Sequence, residues 1–576
     1  MATSVPSVLL LPVPTCTDML VSPVEGGDLL HCKPHFDHHP NVWGDYFLTF
    51  SPCTPSMLLN MKRKAHVSEE QVRRMILECS SGPNLHVKLE LVDTLERLCI
   101  DYHYEKEIEN VLRRVHEEED DTDNHYDLHT TALRFYLLRK HGYYASPDVF
   151  QRFRDEEGNF TRDDNNNGTR SMLSLYNAAH LRIHGEEILD DAIVFTRNYL
   201  QSVVKHLQSP MADEVCSALR TPLFRRPRRV EARHYISVYD KLPTRNETIL
   251  EFAKLDFGIL QSLYCEELNI LTMWWKELQL QDHLSFARDR MVEMHFWMLG
   301  VLFEPQYSYG RTMLTKLFIF VSIFDDIYDN YSTLEESKLF TEAIERWDEE
   351  AAEELPGYMK FFYKKVLTTM KSIETDLKLQ GNKHVDYVKN LLIDATRCFY
   401  NEVKWRSEGA DQVAATVEEH LKISVPSSCC MHVPVYAFVA MGNDVTTDDA
   451  INWGMAYPKI ITSSCIVGRL LNDIASHERE QGSSSSSSST VEACMREHGG
   501  ITKEEAYAKL RELVEESWMD IAGECLRPAA AQPPPLLEAV VNATRVLDFV
   551  YKDDQDAYTH PSSLKDTIHS IYILSV

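Results

Sequence analysis

The chain has 576 residues, 44% of them hydrophobic, and a formal net charge of -29, so it is longer than one ordinary domain and holds enough apolar residues for a large core. The charge argues against a nucleic-acid backbone or an anionic membrane as partner, because both want a basic surface. Thirteen cysteines without a CxxC pair point to thiols in a reducing compartment rather than to zinc or a disulfide framework.

In chain order, residues 1–33 read as a mobile leader, rich in Pro and Val without a clear period. No Lys or Arg occurs before Lys33, which speaks against a secretory signal or an Arg-rich transit peptide and makes the cytoplasm the expected location. His35, His38 and His39 lack the spacing that completes a zinc site. Structure is expected from about Trp43, and from Glu69 onward apolar residues recur at three- and four-residue spacings, as in Val87 to Leu98 and Ala132 to Leu138. The pattern is helix after helix. The absence of sustained two-residue alternation excludes an all-β or α/β reading. Glu117 to Asp123 and Asp163 to Gly168 read as solvated loops. Asn167 opens a sequon that marks only a polar loop in a cytosolic protein.

The basic stretch Arg225 to Arg233 reads as a hinge, giving a first helical domain over 34–239 and a second over 240–576. In the second, Asn246 to Gln279 and Ala287 to Leu299 are expected to be long helices. Val425 to Met441 is apolar but interrupted by Pro426 and Pro434, which remove backbone donors. No apolar run is expected to reach the roughly 18 residues of a membrane helix.

The segment Phe318 to Asn330 opens an apolar run onto three aspartates. Asp325 and Asp329 are four apart, so on a helix both carboxylates leave one face about a turn from each other. Like charges that close, beside an apolar segment, call for a cation between them, and a hard divalent ion shared with a substrate phosphate fits best. Asp326 points elsewhere on the helix. In the stretch Arg469 to Glu480, the residues Asn472, Ser476 and Glu480 fall at i, i+4 and i+8 and present three oxygen ligands along one face. Each motif alone is weak; together they describe two jaws for one anionic ligand.

This pair of motifs, with Arg288-Asp289-Arg290 lying 35 residues before Asp325, resembles the plant class I terpene synthase family, most of all its sesquiterpene members. Further matches include Asn41-Val-Trp43, Asp101-Tyr-His-Tyr104, His184-Gly185-Glu186 and Tyr558-Thr559. The resemblance implies an all-α chain of two helical domains, a C-terminal class I terpenoid synthase fold preceded by a relict α-barrel domain. It implies Mg2+ as cofactor, with three ions expected and Mn2+ as a substitute, held by Asp325, Asp329, Asn472, Ser476 and Glu480. It also implies that Arg288, Arg290 and Arg469, with Asp325 and Asp329 and Asn472, hold the diphosphate, and that Trp297, Tyr551, Asp556 and Tyr558 serve the carbocation and its proton. Ser427 to His432 would shape the product.

Departures from the family pattern matter as well. Lys33-Pro34 stands where relatives of the monoterpene type carry paired arginines, which favours farnesyl over geranyl diphosphate. Ala557 replaces a common Gly, and seven serines, Ser483 to Ser489, occupy a loop expected to close over the diphosphate. Asp120-Asp121-Thr122-Asp123 does not match the family's protonating acid motif. The expectation is a monomeric, cytoplasmic sesquiterpene synthase without nucleic-acid or membrane partners. The alternatives are a monoterpene synthase and a non-catalytic helical scaffold.

Overall fold

The three- and four-residue apolar spacing builds helices wherever a cap and a break frame it. Thr54 accepts from Met57 N and Pro55 occupies the first turn of the helix Pro55–Ser81. Asn246 accepts from Thr248 N and Ile249 N to start the 32-residue helix Glu247–Leu278. Thr333 with Glu336 and Thr502 with Glu505 form reciprocal capping boxes for Leu334–Arg346 and Lys503–Cys525. Among the described residues there are no strands, only an isolated bridge between Arg154 and Phe160.

The computed structural model describes residues 40–117, 126–161, 168–407, 416–481, 489–526 and 532–576, without the side chains of Glu480 and Gln481. The leader 1–33, Lys33-Pro34, the histidines at 35–39, the aspartates at 120–123, the stretch 163–167 and the serines at 483–488 lie outside the described residues. All described residues fall in one compact unit.

The helix Ser308–Asp325 occupies the centre of the C-terminal half. Its run from Leu317 to Phe324 is buried on every side, the mark of a core helix. It packs against Glu247–Leu278, Met291–Val301, Val385–Ser407 and His432–Met441. Contact with the last is close because Gly310 has no side chain: a Cβ there would come within 2.7 Å of Ala440 Cβ.

Three expectations need correction. Val417–Met441 has the mean hydropathy of a membrane span, yet 72% of that window is buried inside the fold. The chain breaks it into Val417–Ser427 and His432–Met441 at a turn where Cys429 takes a left-handed φ of 54°. The second helix expected from Ala287 begins only at Met291, after Arg290 takes a non-helical φ of -132° and ψ of 36°, and Arg288 donates its backbone N–H to the Asp326 carboxylate at 2.9 Å.

The basic stretch is the third. Arg225, Arg226, Arg228 and Arg229 are buried, and most of the stretch is the helix Arg228–Tyr239. Arg225 pairs with Glu515, Arg226 with Glu231, and Arg228 with Asp101 and Glu538. Arg225 also stacks over Trp518, and Arg228 over Phe303. Partners 290 and 310 residues away make this stretch a charged seam between the two halves. Arg225, Arg226 and Arg228 persist there because each is paired and hydrogen-bonded, while Arg229 lies over the Phe257 ring with the Asp256 carboxylate 3.9 Å away.

Candidate active site

The Ser308–Asp325 helix widens at its C-terminal end into a π-helical turn, Asp326–Tyr331, a feature that frequently marks functional sites. Asp325 is the last α-helical residue and Asp329 lies within the wider turn. Asp325 keeps 39% of its side chain exposed, while removal from bulk water and the nearby Asp329 push its carboxyl up to about 7 against the pull of Arg288. Asp326 is fully buried and turned away, accepting from Arg288 N and facing Arg288 Nε at 2.8 Å.

Two guanidinium groups hold the acidic pair. Arg288 Nη2 donates to Asp325 at 2.6 Å, and its guanidinium stands 5.3 Å over the Tyr558 ring. Burial disfavours charge on Arg288, but Asp326 and Asp325 outweigh it and keep the group firmly protonated. Arg406, from the helix Val385–Ser407, donates to Asp329 at 2.5 Å. One turn before it, Glu402 is raised above the usual carboxylate range by burial and by Asp329, against Arg406 and Arg469. Sequence reading missed both. Glu402 and Arg406 form an ordinary i, i+4 acid and base on a helix, a pattern indistinguishable from a solvated pair until the fold turns it toward Asp329.

The second expected jaw lies on the helix Lys459–Gln481. Asn472 is half-buried, and Ser476 is fully buried with no hydrogen-bond partner for its Oγ among the described residues. An unpaired buried hydroxyl costs about 1–3 kcal/mol, so an oxygen ligand directed at a cation fits this position. The Glu480 side chain lies outside the described residues. Asp473 faces the other way, accepting from Thr490 N at 3.2 Å and from Arg469. Glu402 feels both Asp329 and Arg469, and so links the two jaws.

Above them sit the aromatic residues. Trp297 is half-buried and meets Tyr558 edge-on at 5.7 Å and Tyr551 at 6.3 Å. Tyr558 donates to Ser322 Oγ at 2.7 Å, one turn before Asp325 on the central helix. Asp556 is buried, receives Arg479 at 2.8 Å and Thr559 N at 2.9 Å. Burial resists its charge, but Arg479 and the Thr559 hydrogen bonds hold the carboxyl below the usual range. The loop takes left-handed backbone at Asp553 and Asp554, not at Ala557, so the chain accepts Ala at 557 without the strain a Gly would relieve.

Arg290 differs from its expected role. It is buried, and its nitrogens donate to the carbonyls of Asp289, Tyr558 and Thr559, which anchors the C-terminal loop rather than presenting the guanidinium to a ligand. At the broken helix, Ser427 donates to the Ser424 carbonyl and His432 meets Asp394 at 3.0 Å. Arg288, Asp325 and Asp329 meet Tyr558, Trp297 and Tyr551 at this end of the C-terminal half, where Glu402 lies within the field of Arg469, from the helix that also carries Asn472 and Ser476, and Arg479 of that helix reaches Asp556. The arrangement can hold an anion through cations at its base while presenting aromatic faces to an apolar group above it.

Comparison with known proteins returns the same assignment along nearly the whole chain. Residues 42–219 match the family model for the terpene synthase N-terminal domain, and residues 276–520 that for the terpene synthase metal-binding domain. The (E)-beta-caryophyllene synthase of Zea mays is 50% identical over 540 residues, 94% of this chain and 96% of that protein. The beta-sesquiphellandrene synthase of Sorghum bicolor is 46% identical over 93% of this chain and 95% of its own length. Among solved structures, isoprene synthase from grey poplar (Populus x canescens), in complex with three Mg2+ ions and dimethylallyl-S-thiolodiphosphate, superposes with a TM-score of 0.81. It is 33% identical over 93% of this chain and 99% of its own. Limonene synthase with 2-fluorolinalyl diphosphate gives a TM-score of 0.84 at 25% identity, over 94% of this chain and 99% of its own.

Proposed function

Since the chain belongs to the terpene synthase family, we propose that it is a sesquiterpene synthase that ionises farnesyl diphosphate and folds the resulting cation into a hydrocarbon or alcohol, releasing diphosphate. The observation that carries this reading is the meeting of the Asp325–Asp329 turn with the aromatic residues Tyr558 and Trp297, joined by Arg288, which donates to Asp325 while standing over the Tyr558 ring. Relatives 43–50% identical are named for fifteen-carbon products, among them caryophyllene, zingiberene and farnesene synthases, which favours farnesyl over geranyl diphosphate. The catalytic half is placed from about residue 240, and the protein is read as a cytoplasmic monomer.

Asp325, Asp329, Asn472, Ser476 and Glu480 would hold Mg2+, with Mn2+ as the substitute; when bound, the ions neutralise the leaving diphosphate as Lewis acids. The chain's own residues supply the rest. Arg288 and Arg469 offer forked donors to phosphate oxygens. Glu402 and Arg406 set the charge around Asp329. Trp297, Tyr551 and Tyr558 turn negative ring faces toward positive charge developing on carbon and keep water from it. Asp556, ionised and fixed by Arg479, holds the loop through Thr559 N and offers a basic oxygen near the departing proton. Arg290 is a positioning residue for that loop.

Purified protein incubated with farnesyl diphosphate and Mg2+ should give volatile sesquiterpenes by gas chromatography and mass spectrometry, and geranyl diphosphate should turn over more slowly. Asp325→Asn should lower product formation by at least about 100-fold, with an unchanged helical circular-dichroism spectrum. Wild-type turnover by that variant would sink the clamp, and faster turnover of geranyl diphosphate would sink the fifteen-carbon assignment.

A further inference from the structure

A second set of ligating side chains lies in the N-terminal half, on elements that contribute nothing to the site above. His86 and Glu90 are four residues apart on the helix Leu85–Arg97 and so share a face. His129 stands in the first turn of the helix Leu128–Lys140. One ligand atom from each of the three lies within 4.8 Å of the other two. We propose that His86, Glu90 and His129 form a binding site for a borderline divalent transition metal of the Zn2+ class, which pins the start of Leu128–Lys140 to Leu85–Arg97.

The surroundings of each ligand support this. Metal-bound imidazole normally gives its second nitrogen to a hydrogen-bond partner, which fixes the ring and its tautomer. Here His129 Nδ1 lies 2.7 Å from Ser174 Oγ, leaving Nε2 directed at Glu90 Oε1, also at 2.7 Å. His86 Nδ1 lies 3.2 Å from Thr130 Oγ1, leaving its Nε2 as the ligand. Arg170 Nη2 reaches both Glu90 oxygens at 2.6 Å, and a carboxylate has acceptor sites enough to keep one for Arg170 and give one to a metal. His129 keeps only 9% of its side chain exposed and Glu90 keeps 30%, so the carboxylate side of the site is the one open to solvent.

Around a tetrahedral ion with bonds of roughly 2.0–2.1 Å, neighbouring ligand atoms stand roughly 3.3 Å apart. The His129–Glu90 hydrogen bond would therefore open by about half an ångström and the longer separations would close. Side-chain torsions alone accommodate such shifts. Two imidazoles and one carboxylate select Zn2+, Co2+ or Ni2+ over Mg2+, which prefers oxygen. The ligand chemistry thus separates this site from the acidic one at Asp325.

The test uses the full, tag-free chain, stripped of metal and held in saturating Mg2+, and titrates it with Co2+ alone. One equivalent should produce the visible absorption of four-coordinate, nitrogen-ligated Co2+, which Zn2+ then removes. Zn2+ should also raise the melting temperature by several degrees. His86→Gln, at a half-exposed position where folding is not at stake, should lose both signals and keep wild-type turnover of prenyl diphosphate. His129→Gln should lose them as well. Absence of the spectrum in the wild type would overturn the proposal. So would its persistence in His86→Gln, or only a weak oxygen-ligated Co2+ spectrum that disappears in Asp325→Asn.

Discussion

At the scale of single residues, the acidic pair is held by positive charge already in the chain. Arg288 sits on Asp325 and Arg406 on Asp329. Both arginines stand where an incoming divalent cation would deliver its charge, so they compete with it as well as prepare the site. The Arg406–Asp329 pair is about one-third exposed, so solvent weakens it to roughly 1 kcal/mol. Arg406→Gln should therefore lower the Mg2+ concentration for half-maximal activity about five-fold, measured by product formation across a Mg2+ series. A higher Mg2+ requirement in this variant would mean that Arg406 organises the turn rather than competing for it. Asp325, Asp329, Asn472 and Ser476 could be proposed from the sequence because two motifs, each spaced to put oxygens on one helical face, occur together. Glu402 and Arg406 could not, because an i, i+4 acid and base is the commonest dress of a solvated helix.

At the scale of elements, the central helix Ser308–Asp325 is positioned by how closely its neighbours approach. Gly310 lets the helix His432–Met441 come near enough that an added Cβ would lie 2.7 Å from Ala440 Cβ, closer than two carbons can pack. Ala440 offers no flexible side chain to give way, so the helices must separate. Gly310→Ala should cost about 1–3 kcal/mol through overpacking, read as a lower midpoint in urea or thermal melts. The shift also moves the helix that carries Asp325, so the ratio of terpene products should change in the same variant. Unchanged stability would show that the two helices slide freely at this contact. The prolines announced a break in Val417–Met441, but its left-handed turn at Cys429 and its burial depended on the neighbours.

For the whole molecule, polar contacts of buried arginines and of Trp43 join the two halves. Arg225 and Arg228 pair across the seam with Glu515 and Glu538, and Trp43 Nε1 donates to Glu293 at 3.0 Å across 250 residues of sequence. Burial pushes the Glu293 carboxyl up to about 7, against Arg290 and the Trp43 hydrogen bond. Between the ordinary value of about 4.5 and about 7, the folded chain keeps a proton that the unfolded chain has released. The contribution of Glu293 to stability is therefore complete below about pH 4.5 and lost as pH rises through about 7. Glu293→Gln imitates the protonated form and keeps an acceptor for Trp43. It should melt near wild type at pH 5 and be more stable than wild type at pH 8, by up to roughly 3 kcal/mol. The same difference from wild type at both pH values would show that Glu293 does not titrate across this range.

The sequence by itself determined the all-helical class, because apolar period, caps and breaks are local, and it singled out the acidic residues as candidate ligands, because spacing along a helix is a local property. It read the arginines of residues 225–233 as a hinge and Arg290 as a ligand for diphosphate, where the fold buries Arg225, Arg226, Arg228 and Arg229 and sets Arg290 on the carbonyls of Asp289, Tyr558 and Thr559. A guanidinium looks the same in a string of letters whether it meets water, a phosphate or a carboxylate three hundred residues away. Only the tertiary structure decided which charges are buried against a partner and which face an open site. That choice rests on desolvation, which depends on everything packed around a group and not on its neighbours in the chain.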